Sequence, residues 1–179
     1  MALAGFNGVA QDDRPQSTAL RTRLVDVPIS WIDYNGHMTE AQYYMFFADA
    51  GEVFLRSCGF SEAYRAQGFS FFNVQGQQRN LRECQFGATV ACYSEIIGFD
   101  HLRLHTYQYI VDTQRNLTLA TCEHMMLHVD TRLRKATPMT PDMQDALAHA
   151  AERHRPRLRP KGLGCVFHEL PGEGLLTPS

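Results

Sequence analysis

The order of hydrophobic patterns in this 179-residue chain predicts an α+β fold, with one long antiparallel β-sheet packed around a central α-helix. Three observations carry that expectation. The stretch TEAQYYMFFADAGEVFLRSCG has helical length and is apolar around much of its girth, as in a helix covered on more than one side. Four later stretches read as long strands separated by short turn signals, the spacing of antiparallel neighbours. No βαβ rhythm and no glycine-rich phosphate loop interrupts them, which argues against a nucleotide-binding sheet.

The elements follow in order. Residues 1–20, rich in Ala, Gly, Asp, Gln and Ser, read as a flexible arm; 21–153 as the folded domain; and 154–179, with its RHRPRLRPK run, as a basic, proline-broken, solvated tail. In TRLVDVPISWI, residues 22–32, Val25, Val27, Ile29 and Trp31 alternate onto one face of a strand. Pro28 lacks an amide donor and places that strand at an edge or a bulge. Thr39 and Gln42 have capping-box spacing at the start of the helix. Gly59 suits the position just past its end. The 18 or so residues between make about 27 Å of helix. Strands are expected over 69–81, 88–100, 101–112 and 117–130. In the third, Leu102, Leu104, Thr106, Gln108 and Ile110 share one face, and Arg103, His105, Tyr107 and Tyr109 the other. Thr140 and Pro141 open a terminal helix. A sheet of this length has edge strands that a second subunit would cover.

Composition narrows the function. The chain is 44% hydrophobic and 20% charged with a formal net charge of -2, so it has no basic field suited to nucleic acid. No apolar run is long enough to span a membrane, and the N-terminus lacks the basic and apolar regions of a signal peptide. Five widely spaced cysteines without a CxxC pair argue against a zinc site or a disulfide scaffold and fit a cytoplasmic protein.

The segment WIDYNGHMTE, residues 31–40, is where chemistry is expected. Asp33, Asn35, Gly36 and His37 lie between a strand and the start of the long helix, whose first amides have no intrahelical acceptors and favour negative charge. A carboxylate beside such donors is what ester or thioester hydrolysis needs. The same residues also suit an Asx-turn that only reverses the chain, with His37 packed. No GxSxG, HExxH or Cys–His arrangement competes with this segment. Strand periodicity spreads His101, His105, His124 and His128 and does not suggest a metal cluster.

DYNGHM, the AQYYMFF helix and long strands ending in MMLHVD resemble the hot dog fold acyl-CoA thioesterases related to 4-hydroxybenzoyl-CoA thioesterase. WIDYNGHMTEAQY together with LATCEHMMLHVDT is similar, more narrowly, to the betainyl-CoA thioesterases of carnitine breakdown, some of them fused to L-carnitine dehydrogenase. The resemblance covers roughly residues 22–153. It implies a sheet wrapped around a long helix, a homodimer or dimer of dimers with active sites between subunits, and hydrolysis of a small acyl-CoA to a free acid and CoA without metal or cofactor. Asp33 matches the catalytic carboxylate of some members, and Gly36 and His37 the Gly-His pair at the helix start. Relatives with the carnitine-type motif often carry an acidic residue where this chain has Gln75 and a histidine where it has Asn80. Gln75 cannot act as a base but can hold a carbonyl or a water.

Trp31, Tyr34, Tyr43, Tyr44 and Phe47 lie near the turn in sequence. They offer aromatic faces for a quaternary ammonium acyl group such as betainyl and equally suit core or dimer packing. Arg79, Arg82, Arg132, Arg134 and Lys135 flank strand ends and are candidates for the CoA phosphates. Three other readings stay open: a thioesterase for another short or medium acyl-CoA, a non-catalytic hot dog protein that binds acyl-CoA or only dimerises, and a dehydratase of the same fold.

Overall fold

In a computed structural model, described over residues 18–156, 158–160 and 162–164, five long strands form one curled antiparallel sheet around a central helix. The strands are β1 (Leu20–Asp26), β2 (Phe69–Asn80), β3 (Thr89–Phe99), β4 (Arg103–Asp112) and β5 (Leu117–Asp130), with a short β6 (Lys135–Ala136); the helices are α1 (Glu40–Ser57), α2 (Glu62–Ala66) and α3 (Pro141–His154). The strand order is β1-β3-β4-β5-β2, with β6 pairing the end of β5. This is the hot dog architecture. Residues 1–17 of the expected arm and most of the basic tail, Cys165 included, lie outside the described residues.

Helix α1 spans the expected residues because its ends are set locally. Its last turn closes as a Schellman motif: the amide of Gly59 donates to the Arg56 carbonyl and that of Phe60 to Leu55. Gly59 has φ +99°, and a Cβ there would lie 2.7 Å from that of Ala146 in α3, so both conformation and close approach require glycine. Its start differs from the expected capping box. Thr39 is the N-cap, but its side chain makes no capping bond, and the Gln42 amide donates to the Thr39 carbonyl instead.

Tyr43, Phe46, Phe47, Ala50 and Phe54 line the buried face of α1. Phe46 and Phe47 meet Val90 and Cys92 of β3, Ile110 of β4 and Leu119 of β5. Phe54 meets Ile96 and Leu104 beside Met143, Leu147 and Ala150 of α3, which closes that end of the core. Burial of several large side chains on one helix face, each worth roughly 1.5–3 kcal/mol, holds helix and sheet together.

The first strand is shorter than its pattern suggested. It ends at Asp26, and a 3-10 turn occupies Ile29–Trp31. Val27 still donates to Ala88 of the neighbouring chain segment, but Pro28 has no amide, and its carbonyl accepts from Trp31 to start the turn. Ile29 is consequently exposed, whereas Val27 is buried. The strand does lie at a sheet edge, as Pro28 implied. Both α2 and β6 went unforeseen, being only five and two residues long.

Strand β4 is buried on both faces. Leu104, Thr106, Gln108 and Ile110 face α1, while Tyr107, Tyr109 and Val111 pack on the outer face with Leu163 of the C-terminal segment. The outer face also carries a hydrogen bond between His105 and Glu123, Nε2 to Oε1 2.7 Å. The other oxygen of Glu123 accepts the Gly164 amide at 2.7 Å. His128 is an uncharged inner-face residue: burial pushes its pKa down, its Nδ1 donates to the Thr137 carbonyl at 2.7 Å, and its Nε2 accepts from the Tyr64 hydroxyl at 2.9 Å.

Phe47 is fully buried at the centre of this packing. Phe47→Ala is expected to lower unfolding free energy by about 3–5 kcal/mol, read from urea denaturation; a loss below about 1 kcal/mol would mean the site is loosely packed.

Glu95 sets a pH dependence. It is buried, and desolvation raises its pKa to about 7 against the pull of hydrogen bonds from Tyr109 and Thr18. The folded chain holds this proton to a higher pH than the unfolded chain, whose carboxyl ionises near 4.5. The resulting stability is therefore full below about pH 4.5 and is lost as pH rises through 7. Glu95→Gln should be less sensitive than the parent to a rise from pH 5 to pH 8, read as urea midpoints; parallel curves would contradict the assignment.

Candidate active site

Between the 3-10 turn and α1 the chain folds back on itself, with Ile32 bridging Met38. The Asp33 amide donates to the His37 carbonyl at 2.9 Å, and the Gly36 amide to the Asp33 carbonyl at 3.0 Å. Gly36 has φ +82°, which the reversal needs and side chains resist. The Asp33 carboxylate turns inward on the loop: its Oδ1 accepts the Asn35 amide at 2.8 Å and, more loosely, the His37 amide at 3.5 Å. Its Oδ2 accepts no hydrogen bond from any described residue. The loop is pinned to its surroundings by Met38 donating to the Cys84 carbonyl and Thr39 to that of Trp31.

This arrangement is an Asx-turn that also presents one carboxylate oxygen outward. The amides of Gly36 and Met38 are satisfied by carbonyls, and that of His37 is held only at 3.5 Å. The next donors, the Glu40 and Ala41 amides in the first turn of α1, have no carbonyl one turn back to bond.

Beside the turn is a cavity of about 480 Å³, lined by His37 and Met38, by Glu40 and Tyr43 of α1, and by Asn80, Leu81, Arg82 and Glu83 at and beyond the end of β2. That last segment is held firmly. The amides of Leu81 and Arg82 both donate to the Leu119 carbonyl, and the Arg82 guanidinium donates to that of Thr118 at 2.6 Å. The Tyr43 hydroxyl donates to the Arg82 carbonyl at 3.2 Å; burial pushes its pKa up, so the phenol stays protonated. At the mouth, His37 Nε2 lies 3.0 Å from Glu83 Oε2. Two carboxylates, Glu40 and Glu83, thus face one cavity with an aromatic ring.

The candidate residues named from sequence do not all converge. His37, Tyr43 and Arg82 line the cavity, and Asp33, Asn35 and Gly36 form the adjoining turn. Gln75 is exposed on β2 beside a bulge at Val74, five residues and about 17 Å of strand from Asn80. Trp31 packs edge-on against Phe46, Tyr34 is 97% exposed, Tyr44 meets His124 edge-on, and Phe47 is in the core. The cationic residues fall in two groups. Arg79 and Arg82 lie near the cavity; Arg132, Arg134 and Lys135 cluster at the opposite end of β2, about 33 Å of strand from Arg79. Arg132 is already engaged by Asp130, Nη2 to Oδ2 3.1 Å.

Sequence reasoning missed Glu40 and Glu83 as cavity groups. Glu40 reads as an ordinary first-turn acid. Glu83 sits in an irregular segment without periodicity, and only the antiparallel return of β2 beside α1 brings it to His37.

The residues match known proteins in the same terms. A family model described as the thioesterase-like superfamily matches residues 27–147. The L-carnitine dehydrogenase/betainyl-CoA thioesterase of Agrobacterium fabrum is 38% identical over 143 residues, 80% of this chain, which spans only 28% of that protein's length. The betainyl-CoA thioesterase of Pseudomonas aeruginosa is 30% identical over 152 residues, 84% of this chain and 96% of that protein. Among solved structures, a putative thioesterase from Pseudomonas putida superposes with a TM-score of 0.72 at 29% identity, covering 86% of this chain and 98% of the other. A hypothetical protein from Staphylococcus aureus in complex with CoA shares the fold, with a TM-score of 0.77 at 22% identity, over 85% of this chain and 97% of that one. With two-thirds of its length inside the family model and the strand, helix and turn order of the hot dog fold, the chain belongs to the thioesterase-like superfamily.

Proposed function

We propose that this chain is an acyl-CoA thioesterase that hydrolyses a small, positively charged acyl-CoA, betainyl-CoA above all, to the free acid and CoA. The observation that carries the reading is the free Oδ2 of Asp33 at the start of α1, beside a cavity of acyl-group size. Asp33 does not itself line that cavity. A water therefore bridges the gap: Oδ2 takes its proton while its oxygen attacks the thioester carbon. The oxyanion that forms faces the loosely held His37 amide and the free amides of the first helical turn, donors fixed before reaction. Collapse of the intermediate breaks the C–S bond, and the CoA sulfur leaves with the proton that Oδ2 had taken from the water, which restores the Asp33 carboxylate. Glu40, Glu83 and the Tyr43 ring favour a cationic acyl group over a straight fatty one. The betainyl-CoA activity of the Agrobacterium and Pseudomonas relatives agrees with that preference.

The working unit in this reading is a homodimer. Edge strand β2 carries exposed Phe72 and Val74, and the exposed Tyr44 of α1 reaches Asn73 of that strand. An apolar strip along an unpaired edge suits pairing with a second copy. Antiparallel pairing of two β2 strands brings the partner's basic hairpin, with its own copies of Arg134 and Lys135, toward the cavity of this chain, where CoA phosphates need cations. In that pairing the partner's copy of Gln75 stays near the middle of β2, away from the Asn80 end.

Asp33→Asn keeps the acceptor that holds the turn and removes the charge. It should lower the single-turnover hydrolysis rate at least a hundredfold while thioester affinity holds within about twofold; a parent-like rate would make Asp33 a turn residue only. Light scattering at micromolar concentration should give twice the 20.3 kDa chain mass, and a stable monomer would remove the shared site.

A further inference from the structure

The outer face of the sheet is covered in part by the chain's own C-terminal segment. Tyr93, Tyr109, Thr121 and Arg79 form one row of that face across β3, β4, β5 and β2, and Glu95, Tyr107, Glu123 and Gln77 form the next. Leu163 packs on Tyr107, Tyr109 and Val111, with Tyr93 and Ile97 beside them. The Gly164 amide donates to Glu123 Oε2 at 2.7 Å. Gly162, at φ +79°, lies so close to the Arg79 guanidinium that no side chain fits between them. Three successive residues therefore touch β2, β4 and β5. The segment also holds itself together: the Leu163 amide donates to the Pro160 carbonyl at 3.3 Å, and Arg159 Nη2 donates to the Leu163 carbonyl at 3.0 Å.

Glu95 stands on this covered face with no exposed surface. Tyr93 and Ile97 flank it on β3, Tyr107 lies across the ladder, and all three belong to the Leu163 cluster. Tyr109 joins the two: its hydroxyl donates to Glu95 Oε2 at 2.9 Å, and its ring packs with Leu163. On the other side the Thr18 hydroxyl reaches Glu95 Oε1 at 3.5 Å, and the Thr18 carbonyl accepts from His154 Nδ1 at 3.0 Å. Among the described residues no cation pairs with Glu95. Arg21, opposite Tyr93 on β1, is exposed; Glu123, beyond Tyr107, is engaged by His105 and Gly164. Two hydroxyls are less than an ionised carboxylate needs in a dry site. Burial accordingly raises the Glu95 pKa to about 7.

We infer that the segment carrying Gly162, Leu163 and Gly164 is a strap whose docking is coupled to the protonation of Glu95: it closes over the neutral acid and loosens once the carboxylate ionises. The coupling stands apart from the thioesterase reading. A loosened strap lets water reach Glu95, which then ionises as a free carboxyl does, near 4.5. The closed state binds the proton more tightly, so docking is firmest below about pH 4.5, weakens as pH rises, and levels off above 7, where both states are ionised. The linkage is reciprocal, so undocking the strap weakens proton binding at Glu95.

Amide exchange followed by NMR on the full chain tests both directions. The Gly164 amide reports docking, its rate referred to the intrinsic rate at each pH, and the amide of buried Ile110 in β4 reports global unfolding. Gly164 should be less protected than Ile110 at every pH, and its protection should fall about tenfold or more between pH 5 and pH 8. Glu95→Gln should flatten that change to about twofold with Gly164 still protected, whereas His105→Gln should leave it in place. Leu163→Ala should weaken proton binding at Glu95 by about tenfold, read from the carboxyl carbon shift, with Ile110 protection showing that the variant is folded. A flat parent profile, a profile flattened by His105→Gln and not by Glu95→Gln, or an unmoved Glu95 titration in folded Leu163→Ala would overturn the inference.

Discussion

The burial of α1 is the constraint on which the rest of the structure depends. Its core face carries Phe46, Phe47, Ala50 and Phe54, more apolar surface than a short helix can leave in water. Only a sheet long enough to curl around it removes that surface, and β3, β4 and β5 do so along most of its length. Once the helix is enclosed, its N-terminus is delivered to one end of the sheet. There the return of the chain after β2 lays Asn80, Leu81, Arg82 and Glu83 against it. Helix-end donors, a carboxylate turn and a cavity are thus brought together by packing rather than by any one local motif.

The enclosure departs from a uniform apolar core in two places. The inner face is apolar at both ends and polar across its middle, where Gln78, Gln108 and His124 keep unpartnered atoms. A core selected for stability alone would fill such positions with aliphatic side chains, since a half-satisfied polar network is worse than an apolar one. The other is the β2 edge. Its bulge at Val74 and its exposed apolar side chains leave a strand that two copies can share.

Much of this was legible in the sequence because it rests on local pattern. The limits of α1 follow from Gly59 and from a helical apolar face; β2 to β5 follow from long runs between turn signals; and α3 follows from the Thr140-Pro141 start. What failed was read across a boundary between local rules. The alternation through Val25, Val27, Ile29 and Trp31 ran past Pro28, where the missing amide ends the ladder. Thr39 and Gln42 have the right spacing for a capping box, yet the backbone alone closes that turn. The two-sided burial of β4 depends on Leu163, some 50 residues later in the chain. Glu83 became a cavity residue only through the return of the chain after β2, and Gln78 came to face Cys122, and His124 Gly76, only through strand register, which the pattern of one strand does not specify.

The central claim is that a thioester is hydrolysed where the Asp33 turn meets the start of α1. The most direct test is release of free CoA thiol from a panel of acyl-CoAs by the unmodified full chain, with chelator present throughout. The account predicts saturable turnover without added metal, fastest with betainyl-CoA and slower as the acyl group becomes uncharged or longer. Absence of thiol release from every acyl-CoA in the panel at micromolar enzyme would contradict it, and the turn would then be a structural reversal at the head of a buried helix.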